Sequence, residues 1–261
     1  MSQETTPLSH GTALVTGATA GIGLEFARQL AARGHDLVLV ARNRSRLEQV
    51  ARDLGSSYGI DTEVLVADLA DREQLATVAA RLADPARPVA VLVNNAGFGL
   101  KGRFLDNSIE QEQAMLDVLV TAVLRLSHAA LGPMVARGSG AVLNVSSVAG
   151  FLPRGTYGAA KAWVTRFSVW AHHEYRPRGV QVMAVVPGFV RTEFHERMDV
   201  DQSSAPAFLW LEASRLVRDA LADLDAGRGV SVPSKRYRAI VAAAQYVPSG
   251  LLQRFQSFGR K

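Results

Sequence analysis

The chain has 261 residues, of which 48% are hydrophobic and 20% charged, as in a globular domain with a sizeable core. It contains no cysteine, which excludes disulfides, thiolate metal ligands and a cysteine nucleophile. The N-terminal residues lack the pattern of a signal peptide, and no apolar stretch approaches the ~18 residues that a membrane span needs. We therefore expect a cytoplasmic protein.

The net charge of +5 is unevenly distributed along the chain. Residues 226–261 contain seven cations and no carboxylate, so this basic C-terminal segment carries +7 and residues 1–225 carry −2. Nucleic-acid binding is not expected, because no nucleic-acid-binding motif accompanies the charge. Peripheral contact with an anionic membrane, attraction of an anionic substrate carrier and a solvated tail are the remaining interpretations.

Short apolar runs bounded by glycine or polar residues predict a series of buried strands. In chain order these runs are TALVTG, HDLVLVAR, TEVLVADL, VAVLVNNAG, GAVLNVSS, VQVMAVVPG and GVSVP. Between the first two, Ile22, Phe26 and Leu30 recur on one face of a helix, and further helices are expected around 111–136 and 157–175. This alternation predicts an α/β fold: a doubly wound parallel sheet, layered α/β/α, in a single domain over all 261 residues.

Three glycines, Gly17, Gly21 and Gly23, mark the junction between the first strand and the first helix. Glycine lets the backbone turn sharply and approach a pyrophosphate, whose charge then faces the helix N-terminus. A plain tight turn is the alternative explanation of such a triplet. The position between a strand and a helix favours dinucleotide binding.

The end of the second strand bears on which dinucleotide binds. An acidic residue there would accept hydrogen bonds from the adenosine ribose of NAD, but this chain has Arg42, followed by Asn43 and Arg44. A guanidinium at Arg42 suits a 2′-phosphate. NADP(H) is therefore predicted in preference to NAD(H); the alternative is that Arg42 and Arg44 are ordinary surface arginines.

Tyr157 and Lys161 are four residues apart in a predicted helix, so their side chains share a face. An unperturbed phenol has a pKa of about 10, and a nearby ammonium favours the phenolate. The pair therefore predicts a proton donor tuned towards neutral pH, although this spacing is also common by chance.

Five motifs occur in order at predicted strand ends and helix starts: the glycine turn, NNAG at 94–97, NVSS at 144–147, YGAAK at 157–161 and PGFVRT at 187–192. In this order the chain resembles the short-chain dehydrogenase/reductase family, strongly from Thr12 to Thr192. The resemblance implies a Rossmann-type fold that moves a hydride between a nicotinamide and a carbonyl or alcohol. Together with Arg42, it predicts NADPH-dependent reduction of a carbonyl. Two alternatives stay open: NAD-linked oxidation of an alcohol, and a cofactor-binding sensor or scaffold with weak or lost catalysis.

The resemblance also implies roles for individual residues. Ser147 would hold the substrate oxygen, Tyr157 would protonate the nascent alkoxide, and Lys161 would lower the tyrosine pKa and bind the nicotinamide ribose. No metal is implied. The cofactor-binding residues implied are Thr16, Gly17, Ala18, Thr19, Gly21, Ile22, Gly23, Arg42, Asp68, Leu69, Asn95, Tyr157, Lys161, Pro187, Gly188, Val190 and Thr192.

Two departures from the family pattern concern the catalytic region. Leu119 stands where relatives have an asparagine that supports a water-linked proton relay, and an apolar stripe through Leu119 explains it as a core residue. That stripe comprises Leu116, Leu119, Val120 and Val123. The segment between Ser147 and Tyr157 is also shorter than in relatives. The sequence therefore leaves open whether Ser147 reaches Tyr157.

A substrate lid is expected over about 189–225, where bulky apolar residues gather. They predict a pocket for a long-chain ketone, a 3-oxoacyl thioester with an anionic carrier or a steroid-like ketone, with core or subunit packing as the alternative. These residues are Phe189, Phe194, Phe208, Leu209, Trp210 and Leu211.

Two further helix features bear on assembly and on metal binding. A polar stripe on the central helix suggests a homodimer or homotetramer contact, with a solvated face as the alternative; it comprises Asp117, Thr121, Arg125 and His128. The adjacent His172 and His173 do not converge like a zinc pair and are expected on the surface.

Overall fold

The computed structural model describes residues 11–191 and 206–246, without the side chains of 244–246. Its centre is one seven-stranded parallel sheet in the order β3-β2-β1-β4-β5-β6-β7. The strands are β1 (Thr12–Thr16), β2 (Leu37–Ala41), β3 (Thr62–Val66), β4 (Val89–Asn94), β5 (Gly140–Val145), β6 (Val180–Val185) and β7 (Val230–Ser231). The predicted doubly wound α/β fold is confirmed.

Helices cover both faces of the sheet. They are α1 (Gly21–Ala32), α2 (Arg44–Tyr58), α3 (Arg72–Ala83), α4 (Ile109–Leu116), α5 (Ala122–Arg137), α6 (Gly155–Tyr175), α7 (Ala213–Asp225) and α8 (Lys235–Tyr246). The side chains of α1, α2 and α7 form one apolar core against the sheet, and those of α3 and α5 form most of the helical side of a second core on the other face.

Alternation along each strand explains why the central strands are mostly apolar. Ala13 and Val15 of β1 face the first core, whereas Leu14 faces the second. Side chains of successive strand residues point to opposite faces, so a sheet covered on both sides needs apolar residues at nearly every position. The strand order reverses at β1, with β2 on one side and β4 on the other, and ligands of such sheets bind at that switch point.

The central helix departs from the regular helix predicted around 111–136. A π-helical turn, Asp117–Thr121, separates α4 from α5, and Leu119 lies within it. A π turn holds an extra residue, so it rotates the residues before it relative to those after it. This rotation leaves Leu116 37% exposed, so the predicted continuous stripe is wrong at that residue.

This central run also corrects the statement that no apolar stretch approaches the length of a membrane span. Residues 109–137 form 29 helical residues with a window of mean hydropathy 1.6, long and apolar enough to cross a membrane by length and composition. Half of that window is buried within the fold, and packing against the sheet accounts for its apolar character.

The prediction that both adjacent histidines lie on the surface is wrong for His172. Its side chain is only 6% exposed, and its Nδ1 lies 3.1 Å from the carbonyl oxygen of Val182 in β6. His173 is exposed, as expected. Successive helical residues are rotated by about 100°, so one of two neighbours can face the sheet while the other faces outwards.

Candidate active site

The turn between β1 and α1 leaves the N-terminus of α1 open to an anion. Ala20, the N-cap of α1, provides no side-chain acceptor, and the first turn of α1 contains no acidic residue. By contrast, Asn43 caps α2 and Asp71 caps α3 through side-chain oxygens. The first N–H groups of a helix need an acceptor, and a phosphate at this end would supply it.

Close packing around the same turn requires glycine. Gly17 has φ +67°, and a Cβ at Gly23 would collide with the carbonyl oxygen of Gly17 and the amide of Asn95. Asn95 follows β4 and donates from Nδ2 to the carbonyl oxygen of Thr16 at 2.9 Å. The Thr16 hydroxyl oxygen accepts the backbone N–H groups of Asn95 and Ala96 at 2.9 and 3.0 Å. The turn is thus fixed to the switch point of the sheet, and it fits a dinucleotide pyrophosphate.

The remaining predicted residues of this turn surround the same opening. Ala18 is buried, Gly21 has φ +54°, and Thr19 and Ile22 are half-buried. Ile22 packs against the first core. These positions agree with a turn whose exposed groups are mainly backbone.

Arg42 directly follows β2, at the carboxyl end of the sheet, where the crevice beside the switch point opens. Its Nη1 is 3.7 Å from Oδ2 of Asp68, which follows β3, and both side chains are substantially exposed. Such an exposed pair contributes about 0–1 kcal/mol, so a phosphate can compete with the carboxylate for the guanidinium. Leu69, next to Asp68, is 6% exposed and packs in the second core.

The structure brings Ser147, Tyr157 and Lys161 together where β5 ends and α6 begins. The hydroxyl groups of Ser147 and Tyr157 are hydrogen-bonded to each other. Lys161 is 5% exposed; its Nζ lies 5.9 Å from the centroid of the Tyr157 ring and donates to the carbonyl oxygen of Val145 at 2.7 Å. The shortened segment therefore does not separate Ser147 from Tyr157.

Tight packing of the segment after Ser147 explains how the short connection reaches α6. A Cβ at Gly150 would lie 2.8 Å from the backbone nitrogen of Ala162, closer than real Cβ contacts. The turn Val148–Phe151 consequently rests directly on α6.

The pKa of Tyr157 contradicts the prediction that Lys161 tunes it towards neutral. Tyr157 as a whole is half-buried, but desolvation of its hydroxyl by the surrounding protein raises the pKa to about 12, and the hydrogen bond with Ser147 and the charge of Arg154 lower it by less. Burial lowers the pKa of Lys161 to about 8. Tyr157 is therefore a protonated phenol at neutral pH, the form that donates a proton.

An apolar cluster lies against Tyr157 on the side of the π-helical turn. Leu119 is 1% exposed and packs with Met115 and Ala160, and Tyr157 contacts this cluster. The prediction of Leu119 as a core residue is confirmed, and its side chain offers no hydrogen-bonding group at this position.

A small recess of about 30 Å³ opens beside Tyr157. Its apolar lining includes Leu100, Phe104 and Met115, and its polar lining includes Glu112 and Arg154. The recess is thus mixed in character rather than wholly apolar.

The PGFV segment lies beside the turn that follows Ser147. The carbonyl oxygen of Pro187 accepts the N–H of Val148 at 2.9 Å. Val190 is 3% exposed and forms a parallel bridge with Leu211. Thr192 and Phe194, predicted for the cofactor site and the lid, lie outside the described residues.

A contact that the sequence analysis missed joins this segment to the C-terminal helix. The ring of Tyr237 in α8 packs against Gly188, and its hydroxyl accepts the N–H of Phe189 at 3.0 Å and donates to the carbonyl oxygen of Leu209 at 2.7 Å. Burial raises the pKa of Tyr237, and the hydrogen bond from Phe189 opposes this. No spacing in the sequence marks Tyr237, because its partners are distant along the chain.

The described part of the basic C-terminal segment is folded onto the protein, unlike a solvated tail. Arg228 pairs with Asp223 at 2.9 Å, and Arg236 donates to the carbonyl oxygen of Phe208 at 2.6 Å. Within the predicted lid, residues 213–225 form α7, whose apolar face packs against α1.

Fold and site together define a dinucleotide-binding protein of the dehydrogenase class. Residues 11–203 match the short chain dehydrogenase family, and the chain belongs to that family.

Curated relatives and solved structures extend this likeness. The chain is 36% identical over 191 residues to the very-long-chain 3-oxoacyl-CoA reductase of Anas platyrhynchos, covering 69% of this chain and 60% of the relative. It is 33% identical to the human protein of that name over 209 residues, 76% of this chain and 65% of the relative. The chain thus spans less than two thirds of the length of these relatives.

Two solved structures match over nearly their whole length. A short-chain dehydrogenase from Sphingobium yanoikuyae in complex with NADPH superposes with a TM-score of 0.83 at 38% identity, covering 93% of this chain and 95% of that one. A bulky-bulky ketone specific alcohol dehydrogenase from Comamonas testosteroni gives a TM-score of 0.79 at 32% identity, with 93% and 94% covered.

Proposed function

We propose that the protein is an NADPH-dependent reductase that acts on a ketone, with Tyr157 as the general acid. The observation that carries this proposal is the protonated Tyr157, hydrogen-bonded to Ser147 and adjacent to Lys161, in a fold whose first turn fits a pyrophosphate. Bound NADPH would supply the hydride.

The residues of the chain divide the remaining work. The Ser147 hydroxyl would donate to the carbonyl oxygen of the substrate, and the Tyr157 phenol would give its proton to that oxygen as negative charge develops. Lys161, with a pKa of about 8, is mostly an ammonium at neutral pH and would favour the phenolate left behind. The phosphate turn, Asn95 and the 187–190 segment would hold the cofactor.

The preference for NADP(H) over NAD(H) is the finer part of the proposal and rests on Arg42. Its exposed guanidinium at the crevice rim suits the 2′-phosphate, and the similar Sphingobium protein was solved with NADPH. Titration of tryptophan fluorescence with NADPH and NADH, on the wild type and on Arg42→Leu, tests this. We expect Arg42→Leu to lose most of the preference for NADPH; an equal preference in both proteins would contradict it.

The proposed substrates are ketones with large apolar substituents, including 3-oxoacyl thioesters. The names of the 3-oxoacyl-CoA reductases and of the Comamonas enzyme support this class, as does the apolar part of the recess beside Tyr157. Oxidation of NADPH, followed with a panel of short, bulky and 3-oxoacyl ketones, tests it. Turnover of short ketones alone would contradict the proposal.

A second candidate function is cofactor binding with weak catalysis, as a sensor or scaffold. Leu119 favours it, because a buried leucine beside Tyr157 offers no group to organise a water for reprotonation. Tight NADPH binding without turnover on any ketone of the panel would support this alternative.

The proposal also includes the cellular location and the oligomeric state of the protein. We propose a cytoplasmic homo-oligomer, dimer or tetramer, formed through the outer face of α4 and α5. There, Leu116 and Leu124 are 37% and 46% exposed beside the half-buried Asp117 and Thr121. Sedimentation velocity tests the assembly, and a monomer at micromolar concentration would contradict it.

A further inference from the structure

Glu112 is a buried carboxyl group that the proposed mechanism does not use. It lies on α4 and is only 4% exposed. Its Oε1 accepts Nδ2 of Asn107 at 2.9 Å, and its Oε2 accepts the hydroxyl of Thr156 at 2.6 Å. Burial of a carboxyl group costs free energy unless hydrogen-bond partners satisfy it. The contacts with Asn107 and Thr156 therefore fix the position of the Glu112 side chain.

The contact with Thr156 reaches the residue directly before Tyr157. Glu112 and Thr156 are 44 residues apart in sequence and on different helices. The hydrogen bond therefore connects α4 to the first turn of α6, the helix that carries both Tyr157 and Lys161.

The beginning of α6 has no cap of its own. Its N-cap, Arg154, makes no side-chain cap hydrogen bond, and its first residue, Gly155, has φ +66°. A serine caps α4 itself, through Ser108. The carboxyl group of Glu112 binds a side-chain hydroxyl of this uncapped first turn, where negative charge also interacts favourably with the helix dipole.

The same face of the central helix also packs against Tyr157 itself. Met115 and Leu119 follow Glu112 towards the π-helical turn, and both lie in the apolar cluster that Tyr157 contacts. Tyr157 is thus held between a hydrogen bond on its preceding residue and apolar packing on its ring.

We propose that Glu112 and Thr156 are positioning residues for proton transfer by Tyr157, an assignment that rests on the reductase function proposed above. Their hydrogen bond fixes the first turn of α6 relative to α4, and with it the direction of the phenol towards Ser147. The recess beside Tyr157 is lined by Glu112 and Thr156 as well, so displacement of either residue changes the place where the substrate oxygen meets the phenol.

The primary test removes the hydroxyl of Thr156 while keeping the shape of its side chain. Thr156→Val is compared with Thr156→Ser, which restores a hydroxyl, in NADPH turnover with the ketone that the wild type reduces best. A small displacement of a catalytic group is enough to reduce kcat by about tenfold or more, and we expect that loss in Thr156→Val with an unchanged dissociation constant for NADPH. Thr156→Ser should keep most of the wild-type kcat.

A second variant keeps the test decisive if Thr156→Val does not fold. Glu112→Gln should lower kcat with the same unchanged NADPH affinity, and the double variant Glu112→Gln/Thr156→Val should lose no more kcat than Thr156→Val alone. Glu110→Gln, on the exposed side of α4, is the matched control and should behave as the wild type.

The outcomes separate this assignment from the proposed function. A wild type that binds NADPH and reduces no ketone overturns the reductase and the assignment together. Wild-type turnover that Thr156→Val retains, or that Thr156→Ser loses to the same extent, overturns the assignment alone. A fall in kcat matched by weaker NADPH binding in each variant would show a general structural role and would overturn it as well.

Discussion

The cofactor half of the site, residues 11–97, combines a closely packed backbone turn with the exposed guanidinium of Arg42, whereas the substrate half presents side chains that meet from distant parts of the chain. In the first half, Gly17, Gly23 and Asn95 bring three backbone segments so close together that a Cβ does not fit at Gly23. In the second, Ser147, Tyr157 and Glu112 depend on hydrogen bonds between elements.

Substitutions in the two halves should therefore have different effects on NADPH binding and turnover. Changes in the cofactor half should weaken NADPH binding, because they alter either the shape of the backbone turn or the charge of Arg42. Changes in the substrate half should lower turnover while leaving NADPH binding intact, because they alter the position or protonation of single side chains.

Removal of the Tyr157 hydroxyl should have the largest effect and belongs to the substrate half. General acid catalysis contributes about 10²–10⁴-fold, so we expect Tyr157→Phe to lose that much of kcat while NADPH affinity stays within about threefold of the wild type. Ketone reduction and fluorescence titration measure the two quantities separately. Equal losses of kcat and of NADPH affinity would contradict the division of the site into a cofactor half and a substrate half.

Gly23→Ala should show the opposite behaviour in the cofactor half. The added methyl group collides with the carbonyl oxygen of Gly17, and overpacking of this kind costs about 1–3 kcal/mol. Since about 1.4 kcal/mol is tenfold in affinity, we expect NADPH binding to weaken by about 5- to 150-fold. Gly132→Ala is the control, because a Cβ there meets open space. Unchanged binding by Gly23→Ala would argue against the phosphate turn.

Tyr237→Phe tests the boundary between the two halves. It removes the hydroxyl that binds both the N–H of Phe189 and the carbonyl oxygen of Leu209; these two part-buried hydrogen bonds contribute about 0.5–1.5 kcal/mol each, or about 1–3 kcal/mol together. We expect a lower free energy of unfolding by about that amount, measured by urea denaturation. Tyr58→Phe, at a 38% exposed tyrosine of α2, should leave stability unchanged. Equal free energies of unfolding for the two variants would show that the Tyr237 hydroxyl does not stabilise the fold.

The smallest expected effect concerns His172, which lies away from both halves. Burial lowers its pKa below that of the unfolded chain, so the unfolded state binds the proton more readily. Stability should therefore be complete above the unfolded pKa of about 6.5 and decline as pH falls below it. Comparison of His172→Gln with His173→Gln in urea denaturation at several pH values tests this; only the first should make the decline shallower.

Sequence patterns predicted the strands and the glycine turn better than the packing around Tyr157, for a physical reason. The strands and the Gly17–Gly23 turn depend on local composition, which a sequence displays directly. The π-helical turn around Leu119, the inward side of His172 and the contacts of Glu112 and Tyr237 depend on packing between residues far apart in the chain. The pKa of Tyr157 was predicted in the wrong direction because the sequence shows the nearby Lys161 but not the desolvation.

The pH dependence of hydride transfer in a single turnover shows whether Tyr157 acts as a protonated acid. If a protonated Tyr157 beside an ammonium at Lys161 donates the proton, the rate constant should stay level through neutral pH and decline on the alkaline side, above the Lys161 pKa of about 8. A rate constant that rises with pH through the neutral range, as for a Tyr157 that must first lose its proton, would contradict the account.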